Sequence, residues 1–229
     1  MATDRSARSS EHPAQRGFSL LEMAIVLAIL GVLMGGVLVA VSQSVENSRR
    51  AGARAQLQQV EEALYAYGQV TGQLPLPVDS DGNEISGFPP YRGYVPAATL
   101  GLSGTTNAAG LLLDPWRNPL RYAVAQGYVD KDVLKALYPA VPNGMSVCQD
   151  IACGTELSST APAVVLSMGA NWSIVDTSSS DEQVNAGLLS VTDADFISRD
   201  YNEITFDDQL VWLSPYLLFS RMISAGKLP

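Results

Sequence analysis

The chain has little with which to do side-chain chemistry. Among its 229 residues there is a single histidine, His12, and it lies ahead of every predicted structural element. Ser-His-Asp triads, Cys-His dyads and His-ligated metals are therefore excluded from the body of the protein. Cysteine is almost as scarce: Cys148 and Cys153, with four residues between them. That is not the spacing of a CxxC redox motif, and two thiols are too few for a structural zinc. In an oxidising compartment they can close a small disulfide loop; otherwise they are two partly buried thiols. Positive charge is also short, with 14 Lys+Arg against 23 Asp+Glu and a net charge of −9. A surface of that sign repels phosphate backbones, so no duplex nucleic acid is expected as a partner. Carboxylates are what remains for catalysis or metal binding.

What the sequence does have is a long uncharged run. Met23 to Val41 are 19 residues without a charge or a strongly polar group. A helix of that length crosses the hydrocarbon core of a bilayer. Arg5, Arg8 and Arg16 precede it, partly offset by Asp4 and Glu11, which favours a cytoplasmic N-terminus. Arg49, Arg50 and Arg54 beyond the run oppose that orientation. The run is too long for a secretory signal, and no clear small-residue cleavage site follows it. A plain membrane anchor explains the length but not Glu22. A carboxylate in such a helix costs about 2.5–3.5 kcal/mol at the bilayer centre, less near the surface, and requires a partner.

The residues around Glu22 suggest one. Gly17-Phe18-Ser19-Leu20-Leu21-Glu22, preceded by Arg16 and followed by the apolar run, resembles the processing motif of type IV prepilins and type II secretion pseudopilins. The resemblance implies a bacterial inner-membrane precursor. A prepilin peptidase would cut between Gly17 and Phe18, residues 1–17 would be lost with His12, and Phe18 would be N-methylated. Glu22 would then pair with the terminal amine of a neighbouring subunit during assembly, so that a buried charge is neutralised only in correct register. Glycine at the cut lets a protease approach the backbone. Further implied partners are other pilin or pseudopilin subunits, the inner-membrane assembly platform and membrane lipid. The head would lie in the periplasm, and later in a periplasmic or extracellular filament.

Helical pattern continues beyond the run. Leu57, Val60, Leu64 and Tyr67 recur at spacings of three and four and form one stripe, with Gln56, Gln58, Gln59, Glu61 and Glu62 between them. The helix is expected from about Ser19 to Val70, roughly 78 Å at 1.5 Å per residue, ending near Gly68–Gly72 before Leu74-Pro75-Leu76-Pro77. The expected organisation is a leader over 1–17, a membrane or filament-core half-helix over 18–41, an amphipathic half over 42–72 and a globular head over 73–229. Gly31, Gly35 and Gly36 permit close helix contact. The proline common in this part of many pilins is absent, which tilts the reading toward a minor or specialised subunit.

In the head, Asp79-Ser80-Asp81-Gly82-Asn83 reads as a turn, since its spacing fails the EF-hand pattern. Asp130 caps a short helix to Tyr138, and Pro139 stops it. Gln209 to Leu213 reads as a strand. Ser214-Pro215 opens an apolar helix with Leu217, Leu218, Phe219, Met222 and Ile223, closed by Gly226. The fold class expected is α+β: a long N-terminal helix packed on an antiparallel sheet, with an extra C-terminal helix.

Two head segments extend the resemblance. Asp114-Pro115-Trp116-Arg117-Asn118-Pro119 is a proline-punctuated turn entering a strand at Leu120–Ala125, and it looks like a segment of the major pseudopilin. Ser167-Met168-Gly169-Ala170-Asn171, after an apolar strand Ala163–Leu166, is similar to another. That relative carries calcium in its C-terminal loops. Here Asp193, Asp195 and Asp200, with Glu203, Asp207 and Asp208, lie in a comparable region and offer hard oxygen ligands. The same residues also fit a solvated acidic surface. Asn171 stands where the family has an acid, so the metal site does not map residue by residue.

Three functions suit such a chain. The first is a filament subunit without a catalytic centre. The second is a tip-located module whose head binds cargo, DNA or a surface. The third is a tethered carboxylate hydrolase built on Asp207 and Asp208. Neighbours in a strand point to opposite faces and do not make a dyad, which argues against that third reading. No G-x-S-x-G motif is present.

Overall fold

A computed structural model describes residues 19–85, 91–173, 179–189, 195–202 and 205–229, with the side chains of residues 33–40 left aside. The leader, Gly17, Phe18, Asp193 and Glu203 thus lie outside the described residues. The chain divides into two compact units, Met1–Glu46 and Asn47–Pro229.

In the first unit the described chain is helical. Helix α1 runs from Leu20 to Thr71 and continues into the second unit. Ser19 opens it by accepting the backbone N–H of Glu22 at 3.1 Å, one half of a capping box whose acidic member is Glu22. Apolar side chains are exposed around this stretch, among them Leu20 at 93% and Val32 at 78%. Among the described residues no helix is long and apolar enough to cross a membrane; residues 33–40 of the apolar run fall outside that description.

In the second unit α1 presents Ala53, Leu57, Val60, Leu64 and Tyr65 to the core, all buried. Tyr65 takes the place expected for Tyr67, which is only half-buried. Its hydroxyl accepts the N–H of Ser214 at 2.7 Å, so the stripe ends on a polar anchor. Gly68 allows the close approach of the C-terminal helix, since a Cβ there would meet Leu218 and Met222 at 2.8 and 3.0 Å. The helix stops where Gly72 adopts a φ of 83° and donates to the Gly68 carbonyl, a glycine C-terminal stop.

The main sheet is antiparallel, in the order β1 (Tyr91–Tyr94), β2 (Arg121–Val124), β5 (Ala163–Ser167), β7 (Gln209–Trp212). Every residue of the central strand β5 is buried. Such a strand reads as a continuous apolar run, as Ala163–Leu166 did. Between β2 and β5 lie a 3-10 turn at Gln126–Tyr128, helix α2 (Lys131–Leu137), and strands β3 (Met145–Cys148) and β4 (Glu156–Ala161). Asp130 caps α2 as expected, accepting from Asp132 and Val133 N–H groups.

After β5 come α3 (Ser180–Asn185) and the two-residue strand β6 (Phe196–Ile197). β6 pairs parallel with β3 and completes a second sheet, β4-β3-β6, which the sequence pattern did not reveal. Cys148 and Cys153 are joined in a disulfide beside it. Helix α4 (Pro215–Ser224) closes the chain and buries Leu218, Phe219 and Met222. Its N-cap is Ser214, yet the Ser214 side chain makes no capping bond.

The architecture is the expected one: α+β, with the N-terminal helix packed on an antiparallel sheet and a C-terminal helix beside it.

Candidate functional site

At the N-terminal motif, Glu22 lies in the first turn of α1 with an exposed side chain. The neighbouring Leu20, Leu21 and Met23 are exposed as well. A lone carboxylate among exposed apolar groups is what a helix destined for an apolar assembly would show.

In the head, the two distinctive segments meet. Asp114 starts a tight turn: its Oδ1 accepts the N–H groups of Trp116 and Asn118, and Arg117 takes a φ of 72° within it. The other oxygen of Asp114 accepts the Ser167 hydroxyl at 2.6 Å. Asn118 donates to the Gly169 carbonyl. Burial raises the Asp114 carboxyl, against the lowering pull of Ser167 and of the turn's backbone N–H groups. On α1, Gln56 donates to the Leu113 carbonyl at 2.9 Å, and Gly52 leaves contact space for Pro115. The turn is thereby held between α1 and the end of β5.

Beyond β5 the chain bends at Gly169, whose φ is 64°. A Cβ there would overlap the Asp207 carboxylate. Asp207 accepts the N–H groups of Ala170 and Asn171 at 2.7 and 3.2 Å, so the glycine is required both for its backbone angle and for space. Asp207 and Asp208 precede β7 rather than lying in it, and both are buried. The opposite-face argument therefore does not apply to them. One carboxylate oxygen each from Glu182, Asp207 and Asp208 lies within 4.8 Å of the others. Glu182 sits on α3, accepts the Asp207 N–H at 2.9 Å and receives the Asn171 amide. Asn185, one turn on, donates to Asp208 at 2.8 Å.

Among the described residues, three oxygens in this group are buried without a hydrogen-bond partner: Asn171 Oδ1, Asp207 Oδ1 and Asp208 Oδ1. Burial raises the Asp207 carboxyl to about 6, with the Glu182 charge adding and the Ala170 N–H opposing. Burial likewise raises Asp208 well above the usual range; Asn185 and, more weakly, the Arg121 charge oppose this.

Of the acids expected to bind metal, Asp195 is held elsewhere, accepting the Ser146 N–H at 2.9 Å and pairing with Arg92. Asp200 is exposed. Glu182 was missed, because the sequence offers no periodic or motif signal linking it to residues 25 positions on.

Residues 12–38 match the family model described as the prokaryotic N-terminal methylation motif. The chain thus carries the type IV prepilin-like cleavage and methylation motif. No curated protein and no solved structure matches the chain.

Proposed function

We propose that the chain is the precursor of a filament subunit, cut between Gly17 and Phe18, N-methylated at Phe18 and assembled through its N-terminal helix. The single observation that carries this is the methylation motif over residues 12–38, with Glu22 set among exposed apolar side chains. In the precursor, 18–41 holds the chain in the inner membrane with its head in the periplasm. On assembly, Glu22 meets the new terminal amine of a neighbouring subunit, and the apolar side chains exchange lipid for other helices. The work of such a protein is mechanical, and its chemistry is that of a peptidase substrate. The deciding experiment is the N-terminus and intact mass of the protein from native membranes, with and without prepilin peptidase. A chain beginning at methylated Phe18 only when peptidase is present is the expected result. The same N-terminus in both strains overturns it.

The joining of the Asp114 and Ser167 segments favours the secretion pseudopilus, since those segments carry the resemblance to its major subunit. A tip position is favoured by the size of the head, 157 residues over 73–229. Subunit counts per filament separate shaft from tip.

Within this reading the head holds calcium at Glu182, Asp207 and Asp208, with Asn171 contributing its amide oxygen. Calcium takes 6–8 oxygens at about 2.3–2.6 Å. Oxygens within 4.8 Å of one another fit on a sphere of that radius. Asn171, Asp207 and Asp208 each keep a buried oxygen without a hydrogen-bond partner among the described residues, and such groups cost free energy until something positive meets them. Calorimetric titration of the protein with calcium, against Asp208→Asn, tests the assignment.

A further inference from the structure

A second small core lies behind the carboxylate group. Cys148, Val184, Ile197 and Phe206 are buried together, with Ile151 and Cys153 packed against them. Two of these residues come from the segments that build the acidic group: Val184 lies two residues after Glu182 on α3, and Phe206 directly precedes Asp207. Asn185 ties the two together. Its side chain accepts the Ile197 N–H at 2.7 Å and donates to the Ile197 carbonyl at 3.0 Å, while also donating to Asp208. Ile197 in turn is registered against Cys148 in the β3–β6 pair, and Ser198 donates to the Cys148 carbonyl at 2.8 Å. A continuous chain of short contacts therefore runs from the disulfide through β3, β6 and Asn185 to the Asp208 carboxylate.

We infer that the Cys148–Cys153 disulfide and the Glu182–Asp207–Asp208 pocket are coupled through Asn185, so that calcium binds the oxidised head more tightly than the reduced one. The inference rests on the calcium reading given above. Reduction by a dithiol splits the Sγ–Sγ bond, takes two electrons and two protons from the reagent, and leaves two thiols and an oxidised dithiol. The loop 149–152 is then no longer closed, β3 loses its clasp, and β6 rests on only two residues of pairing. Ile197 holds the Asn185 amide through two hydrogen bonds, and Asn185 orients Asp208 through a third. The cation site thus loses a positioned ligand when the clasp opens. Linkage requires the converse: bound calcium slows reduction of the disulfide.

The test uses the full chain in detergent, titrated with calcium by calorimetry in its oxidised form and as Cys148→Ser/Cys153→Ser. Coupling of ordinary size weakens binding about 5-fold or more in the double variant. As a measurement that needs no variant, thiol release by dithiothreitol is followed with and without calcium, and calcium slows it by a similar factor. Asn185→Ser then brings the two rates together. Equal affinity in both forms with equal release rates overturns the coupling while leaving the calcium reading intact. No calcium binding by the oxidised chain overturns both.

Discussion

Asp114 and Ser167, 53 residues apart, share a buried hydrogen bond of 2.6 Å between carboxylate and hydroxyl. Asp114 sits at the head of the Asp-Pro-Trp turn; Ser167 ends the central strand. Their contact joins the two segments that the sequence singled out separately, and it leads through Gly169 to the carboxylate group.

Removing either partner leaves a buried polar group unpaired, which costs about 1–3 kcal/mol. Ser167→Ala is expected in that range, and Asp114→Ala at or above its upper end because two backbone N–H groups lose their acceptor as well. Asp114→Asn keeps an oxygen for those N–H groups, and the Ser167 hydroxyl can turn to accept. Denaturant unfolding followed by tryptophan fluorescence ranks the three variants.

Asp114 also sets a pH dependence. Its folded carboxyl is raised by burial above the usual value of 3.8. Its stabilising contribution is therefore fully present below that value and is lost as pH rises through the raised folded value. Asp114→Asn lacks this slope. The stability of the variant relative to wild type is expected to improve as pH rises from 3.8 through the raised folded value. A constant difference across that window contradicts the prediction.

Two glycine substitutions should part company. At Gly68 a methyl group would press on the ends of Leu218 and Met222, which can shift, for a cost of about 1–3 kcal/mol. At Gly169 it would fall on the Asp207 carboxylate at a positive backbone angle. Gly169→Ala is expected to destabilise more and, at the proposed calcium site, to abolish binding, whereas Gly68→Ala leaves that site unchanged. Unfolding and calorimetry on both variants check this.

Tyr65 and Glu62 offer a contrast on α1. Arg221 pairs with Glu62 through two hydrogen bonds at the surface, and such exposed pairs contribute at most about 1 kcal/mol. The Tyr65 hydroxyl instead satisfies the Ser214 N–H at the start of α4. Tyr65→Phe is therefore expected to cost more than Glu62→Gln, as read from unfolding midpoints. The reverse order would place the anchoring of α4 in the ion pair.

Assembly is predicted to separate from folding at Glu22. Its side chain is exposed and lies in the unit Met1–Glu46, outside the head. Glu22→Ala should leave head stability unchanged and processing intact while preventing incorporation into filaments. Immunoblots of sheared filaments and of membranes measure the two separately.

Local features of this protein were written in local sequence. The Ser19–Glu22 helix start, the Asp130 cap, the Gly72 and Gly226 stops, the buried run of β5 and the processing motif each depend on residues within a few positions of one another. Propensity and periodicity act over that range. The stripe on α1 was legible for the same reason, although choosing Tyr65 over Tyr67 required the Ser214 N–H that it meets. What the tertiary structure decided is everything that joins distant segments. β6 is too short to show a pattern, and it exists because β3 and Asn185 receive its backbone. The grouping of Glu182 with Asp207 and Asp208, and the displacement of Asp195 to Ser146, follow from how α3 docks beside the strand ends. No spacing along the chain encodes those distances, because the intervening loops fix only that the segments can meet, and packing fixes where.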